Sequence, residues 1–346
     1  MTEAWIGGGV ALATALALAS LWRLRGWGDA PTGPAGARKL QVAAVPAVGG
    51  LAIAVGWGVM ALCRGGDGDF GLAPLLTRAP SRWWLEGSTA PSLPQLGVGW
   101  IALALLVGLA AGVWDDLRRG GLPPRVQLAG QLLVGVLASF YFHPAQSVVI
   151  ELGGGGEALR TLTLPGTWTW AAVAACLALA VLNGINTFDN ADGAVCGVAG
   201  MGLLAAASPL APAVLLFLVP NLLLRRPASG RSGARDPWAY LGDGGSQLVG
   251  VAVLVTPAAW PALLLPLLDL GRLCLARPLA GQAPWVGDRR HLAHRLQRRG
   301  LGPLAVAGVL VAIAAPFVLW PSPSGAAGTT ALFALACRAT RGFEGP

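Results

Sequence analysis

LGVGWIALALLVGLAAGVWDD, residues 96–116, decides how this chain folds: an uncharged apolar run leads directly into two adjacent aspartates. About 20 apolar residues is the length at which a helix crosses the hydrocarbon of a bilayer. The stretch therefore predicts a membrane helix over Leu96–Trp114, with Asp115 and Asp116 at its mouth. Comparable runs lie on both sides, at Ala4–Trp22, Ala43–Cys63, Val126–Phe142, Thr167–Leu182 and Val195–Pro209. They continue at Ala211–Leu224, Gln247–Trp260, Pro261–Leu275, Pro303–Trp320 and Gly325–Cys337. The reading is an all-α, polytopic membrane protein of ten or eleven transmembrane helices, one domain over residues 1–346, with a site on its cytoplasmic loops.

Composition excludes the other classes. Charged residues make up 12% of the chain, against about 25% in soluble proteins, while 55% is hydrophobic and 50 residues are glycine. A single water-soluble core stops growing at roughly 250–300 residues, so a soluble globule of 346 residues could not hide this surface. Five scattered cysteines give no disulfide framework and read as small apolar fillers. The first segment has no basic residues ahead of it and no small-residue cleavage site, so it reads as a retained helix and not a signal peptide. The stretch Arg64–Gln95 reads as an irregular loop, and Ser147–Leu164 as a small exposed hairpin.

Lysine and arginine set the orientation, because positively charged loops stay cytoplasmic. With the N-terminus outside, all but Arg64, Arg78, Arg82 and Arg160 of the 24 basic residues fall on inside segments. The basic excess is thus a topology signal, and no soluble basic face suggests nucleic acid.

Four polar clusters sit at the inside helix ends, where ionisable groups at membrane depth usually mark a site. Asp115 and Asp116 would repel unless a proton or cation lay between them, and Mg²⁺ is typically held by one or two carboxylates with substrate phosphates. A solvated loop balanced by Arg118 and Arg119 is the plainer reading. In Asn183-Gly-Ile-Asn186-Thr-Phe-Asp189-Asn-Ala-Asp192-Gly193, Asn183, Asn186 and Asp189 are spaced to share one helical face, although such residues also cap helices and make turns. Leu241-Gly-Asp243-Gly-Gly-Ser246 precedes a helix and could let backbone approach a phosphate at that helix start. Asp288-Arg-Arg-His291-Leu-Ala-His294-Arg295-Leu296 carries two histidines and an arginine suited to phosphate; a basic juxtamembrane helix reads the same way. All four fall on the cytoplasmic face, which suggests one composite site for an acidic, phosphorylated substrate.

Five motifs in this order resemble the polyprenyl-phosphate N-acetylhexosamine-1-phosphate transferases. Gly112–Asp116 is similar to the family's G-x-x-D-D, Asn183–Gly193 to N-x-x-N-x-x-D-x-x-D-G, and Leu241–Ser246 to L-G-D-x-G-S. Asp288–Leu296 resembles D-R-x-H-L-x-H-R-L, and Arg38-Lys39 with Pro46 and Gly49-Gly50 resembles the family's R-K…P…G-G. Gln41, Gln127 and Asn190 depart from its usual His, Lys and Gly, and Ala293 interrupts the histidine run of the peptidoglycan enzyme.

The resemblance implies transfer of a sugar-1-phosphate, N-acetylglucosamine-1-phosphate being favoured, from a UDP-sugar to polyprenyl phosphate with release of UMP. The cofactor it implies is Mg²⁺, with Mn²⁺ as an alternative; the setting is the inner (cytoplasmic) membrane, and a homodimer is allowed. It implies Asp115 and Asp116 as catalytic residues, Asp243 and Asn186 as metal ligands, and Asn183, Asp189 and Asp192 on the nucleotide side. His291, His294, Arg295 and Lys39 would bind phosphate. The alternatives are the phospho-N-acetylmuramoyl-pentapeptide transferase reaction and, in a different class, a secondary transporter.

Overall fold

The computed structural model describes residues 2–25, 45–63, 95–118, 121–142, 147–150, 160–163, 167–227, 235–283 and 289–343. Most of these are helical. In chain order they form α1 (Thr2–Leu24), α2 (Gly49–Cys63), α3 (Gln95–Leu117), α4 (Pro124–Phe142), α5 (Thr167–Phe188), α6 (Ala194–Ala205) and α7 (Ala211–Leu216). Then come α8 (Gly242–Leu254), α9 (Leu264–Leu279), α10 (Leu292–Arg298), α11 (Pro303–Leu319) and α12 (Pro323–Ala339). Four helical stretches are long and apolar enough to cross a membrane: Thr2–Leu24, Gly99–Leu117, Ala171–Phe188 and Pro257–Leu279. Gly49–Cys63, Ala194–Ala205, Ala211–Leu223 and Pro303–Leu319 are apolar but shorter.

Two antiparallel hairpins complete the described structure. β1 (Ser147–Ile150) pairs with β2 (Arg160–Thr163), as the alternation around Gly153–Gly156 predicts. β3 (Arg225–Pro227) pairs with β4 (Arg235–Pro237) and was not anticipated; its arginines read in sequence only as topology markers. The Arg64–Gln95 loop expectation falls outside the described residues, Gln95 excepted.

Each apolar run contains a helix, but only four helical stretches among the described residues are long and apolar enough to span, and several ends differ from those expected. The run expected to stop at Leu182 continues as α5 to Phe188, because the polar side chains on its last turns find partners inside the bundle. The run expected over Gln247–Trp260 instead begins at Gly242 and breaks near Thr256, ahead of a 3₁₀ stretch over Pro257–Leu263. The run expected over Ala211–Leu224 is divided: α7 ends at Leu216 and a π-helical turn follows over Val219–Leu223, with Pro220 inside it and unable to donate a backbone N–H.

α8 is the hub. Apart from Gln247, every residue from Gly244 to Leu254 is buried, the pattern of a helix that is apolar all round and enclosed by others. It packs against α2, α3 and α5, and α1 lies across α2 and α7. Small residues make these approaches close, as in membrane bundles generally. A Cβ on Gly50 would lie 2.4 Å from the Gly244 carbonyl carbon, and one on Gly112 would lie 2.3 Å from the Asp243 carbonyl oxygen. Ahead of α2, Ala47 bridges Tyr240 in a short parallel pairing, with Tyr240 N donating to Pro46 O at 2.9 Å. That pairing sets the Pro46–Gly50 segment against the start of α8.

Because the obstacle at Gly112 is backbone, Gly112→Ala should force α3 away from α8. The expected cost is about 1–3 kcal/mol, the range for overpacking, seen as a lower thermal unfolding midpoint in detergent. Gly58→Ala, inside α2 and pointing into open space, should not lower the midpoint.

Candidate active site

The site begins at the last turn of α3 and the first turn of α8. Asp116 accepts hydrogen bonds from the backbone N–H groups of Asp243 (2.9 Å) and Gly244 (2.9 Å). A carboxylate there satisfies otherwise unpaired donors and complements the positive end of the helix dipole. Gly242, at φ +75°, makes the turn into α8, and a side chain in its place would collide with Asp116 and Ala47.

Asp115 is buried beside it. Its Oδ1 accepts from the Leu122 N–H and, at 3.0 Å, from Gln127 Nε2. The carboxyl of Asp243 lines one void with it, near enough for the two charges to repel. Two carboxylates so placed favour a proton or a cation between them. Asn186 Nδ2 donates to Asp243 Oδ1 at 2.5 Å and to Ser246 Oγ at 3.0 Å, which fixes the Asp243 carboxyl and leaves Asn186 Oδ1 as the amide atom available to a cation.

Asp115, Asn186, Asp243 and Asn183 line one void of about 30 Å³ between α3, α4, α5 and α8. That is room for one ion or about two waters. Gln127, Gln131 and Gln247 complete its polar lining, and Asn183 Nδ2 donates to Gln131 Oε1 at 2.7 Å. Among the described residues, no group of three or more His, Cys, Asp or Glu side chains is arranged to hold a metal ion.

Asp189 follows the end of α5, close enough to Asp243, Asp192 and Asp116 to feel their charges. Burial, reinforced by those three carboxylates, pushes its carboxyl well above the usual range. Asp192, also raised by burial, is ion-paired with Arg225 Nη1 at 2.5 Å. The pair ties the β3–β4 hairpin to the turn between α5 and α6. Asn221, in the π-helical turn, reinforces this link: its Oδ1 accepts from Gly193 N (2.7 Å) and its Nδ2 donates to Ala239 O (3.1 Å).

The histidine segment forms its own buried cluster. Asp269 accepts from Arg272 Nη2 (2.8 Å) and sits 2.9 Å from His291 Nδ1. A carboxylate partner at Nδ1 favours the proton there and leaves Nε2 as the working nitrogen. His294 lies with its ring centroid 6.2 Å from that of His291. Burial, with the charges of His291, Arg289 and Arg298, holds His294 below the ordinary histidine range despite the Gln297 acceptor, so it is uncharged at neutral pH.

Arg295 occupies a different environment from a phosphate clamp. It is buried, and its Nη2 and Nε donate to the carbonyls of Cys337 (2.5 Å) and Thr340 (3.3 Å) at the end of α12. Lys39 and Asp288 fall outside the described residues. Gln131, Gln247, Ser246 and Asp269 were not assigned from sequence. The available signal was an amide pair four apart on an apolar helix, Gln127 and Gln131, which share a face.

The chain matches no family model and no curated protein sequence.

Two outcomes follow from this geometry. Arg295→Met keeps the bulk but removes the donors that cap α12, and should cost about 3–6 kcal/mol, two hydrogen bonds from a charged group, read as a lower unfolding midpoint. The second concerns Asp189. The folded protein keeps a proton there at pH values where the unfolded chain, with a carboxylate pKa near ~3.9, has released it. This group therefore removes stability as pH rises from the ordinary carboxylate range toward its raised value. With divalent ions chelated, Asp189→Asn should melt higher than wild type near pH ~8 and converge with it near pH ~4. A constant difference across that interval would contradict the assignment.

Proposed function

We propose that this chain is an inner-membrane transferase that moves a sugar-1-phosphate, N-acetylglucosamine-1-phosphate by preference, from a UDP-sugar to polyprenyl phosphate. An oxygen of the acceptor phosphate attacks the sugar-bearing phosphorus of the donor. The bond from that phosphorus to UMP breaks, and UMP leaves with the electron pair. In this reading the shorter apolar helices complete ten or eleven crossings, the N-terminus is outside, and the site faces the cytoplasm.

One observation carries the proposal: the Asp115 and Asp243 carboxyls line a single small void beside Asn186. Two carboxylates and an amide suit Mg²⁺, which takes one or two carboxylates and fills its remaining positions with water and substrate phosphate. That donor set falls short of an all-protein cage, as expected of an ion that arrives with a diphosphate. When bound, Mg²⁺ would neutralise phosphate charge and so ease the approach of two anions.

The chain's own residues do the positioning. Asp116 fixes the start of α8, and Asn186 orients Asp243. Gln127 and the Leu122 N–H hold Asp115, which faces the acceptor phosphate. That phosphate has a second pKa near ~6, so at neutral pH it is largely nucleophilic already and needs little help from a base. Asn183 and Asp189 serve the nucleotide side. Asp192, engaged by Arg225, serves it by closing the hairpin. His291, oriented by Asp269, and uncharged His294 offer ring nitrogens to the diphosphate. Arg295 is reassigned from phosphate binding to holding α12.

The test is UMP release by purified protein given Mg²⁺, UDP-N-acetylglucosamine and undecaprenyl phosphate, with other UDP-sugars, including the muramoyl-pentapeptide donor, as comparison. Asp243→Ala should lower the rate about 100-fold or more, the upper range for perturbing a metal site, while still inserting into the membrane. Near-wild-type UMP release by this variant would remove Asp243 from the site. No release with any donor would remove the proposal.

A further inference from the structure

At the C-terminal end of α1, Arg23 lies over the ring of Trp238 with its guanidinium carbon 4.2 Å from the centroid. Arg226, from β3, lies over the same ring at 5.4 Å. A guanidinium over an indole face is favourable, but two cations sharing one ring repel each other, and Arg23 and Arg226 are close enough for that repulsion to register.

The hydrogen-bonding pattern is equally incomplete. Arg23 Nη2 donates to the carbonyls of Pro237 and Trp238. Its Nε and Nη1 are buried without an acceptor, and so is the indole Nε1 of Trp238. Three buried N–H-bearing atoms without an acceptor, beside an exposed arginine, form a set to which each member brings donors and none an acceptor. Arg and Trp side chains have only donors to offer, so these groups cannot satisfy one another.

The nearby acids are otherwise placed. Asp192 is paired with Arg225, and Asp236, which stands opposite Arg226 in the hairpin register, has an interaction of its own. Buried donors in native structures are normally met by protein, water or ligand.

The geometry points to an anion site formed by Arg23, Arg226 and the Trp238 indole N–H, binding a phosphate oxyanion. A phosphate supplies acceptor oxygens for the unsatisfied donors and a negative charge for the two guanidiniums. It can come from two sources, the head group of an anionic phospholipid at the membrane surface or a soluble phosphate. The site is separate from the carboxylate void, and the proposal does not depend on the transferase reading.

Full-length protein in detergent is melted with phosphatidylglycerol, with phosphatidylcholine, or with inorganic phosphate against chloride at equal ionic strength. A ligand that binds only the folded state raises the midpoint. The expected result is a rise of several degrees with phosphatidylglycerol over phosphatidylcholine. Trp238→Phe, which keeps the ring and removes the N–H, should at least halve the shift, and Arg23→Gln should abolish it. Arg226→Gln alters an exposed residue, so it tests the site without threatening the fold, and it should reduce the shift too. A rise with inorganic phosphate as well identifies a soluble phosphate as occupant; a rise with phosphatidylglycerol alone identifies the lipid. Equal shifts in wild type and Arg226→Gln, or no shift with either probe, overturn the proposal.

Discussion

Carboxylates crowded together in a poorly hydrated interior must be held against their own repulsion, and here the first turn of a buried helix does the holding. Asp116 is anchored by two backbone N–H groups at the start of α8. Those donors are fixed by the helix itself, so part of the negative charge of Asp116 is compensated by backbone. Asp243 belongs to the same turn, and the carboxyl of Asp115 reaches it from the adjacent position on α3. The contact between α3 and α8 is therefore an electrostatic arrangement as much as a packing one. It explains why bulk is excluded at Gly112 and Gly242, where any side chain would push the partners apart.

The same economy extends around the void. Its lining beyond the acids is neutral: Gln127, Gln131, Gln247, Asn183 and Asn186. Amides can donate to one neighbour and accept from another, so they satisfy buried groups at far lower desolvation cost than charges. Gln127 shows the principle, reaching Asp115 with its amide N–H where a lysine would place a full charge. Farther out, Asn221 and the Ala47–Tyr240 bridge tie the π-helical turn and the segment before α2 to the approach to α8. The elements most distant in sequence are thus joined by backbone-directed hydrogen bonds, which resist displacement.

The hydrophobic runs were legible in the sequence because an uncharged segment near bilayer length has few other uses. Their ends were less so. α5 runs six residues past the expected stop because Asn183 and Asn186 are satisfied within the bundle, whereas sequence reading treats polar residues as leaving it. The meeting of Asp115, Asn186 and Asp243 could be anticipated from motif type and inferred topology, since each lies at a helix mouth. The private partners could not be. Arg295 holds the end of α12, Arg225 holds Asp192, and Asp269 holds His291; each pairing links segments whose proximity only packing determines. Arginine in a basic juxtamembrane stretch has the same one-letter appearance whether it binds phosphate, caps a helix or marks the cytoplasmic side.

Comparing these pairings isolates what the fold leaves unfinished. Asp192 has Arg225, Asp269 has Arg272 and His291, and Asp116 has the start of α8. Against that background, Asp115 and Asp243 press on each other with Asp189 nearby, while Arg23 and Arg226 crowd one indole. A chain able to pair its charges elsewhere has no stability reason to gather like charges in two places, since each gathering weakens the fold by itself. Both become favourable once a counter-charge arrives from outside, a cation at the first and an anion at the second.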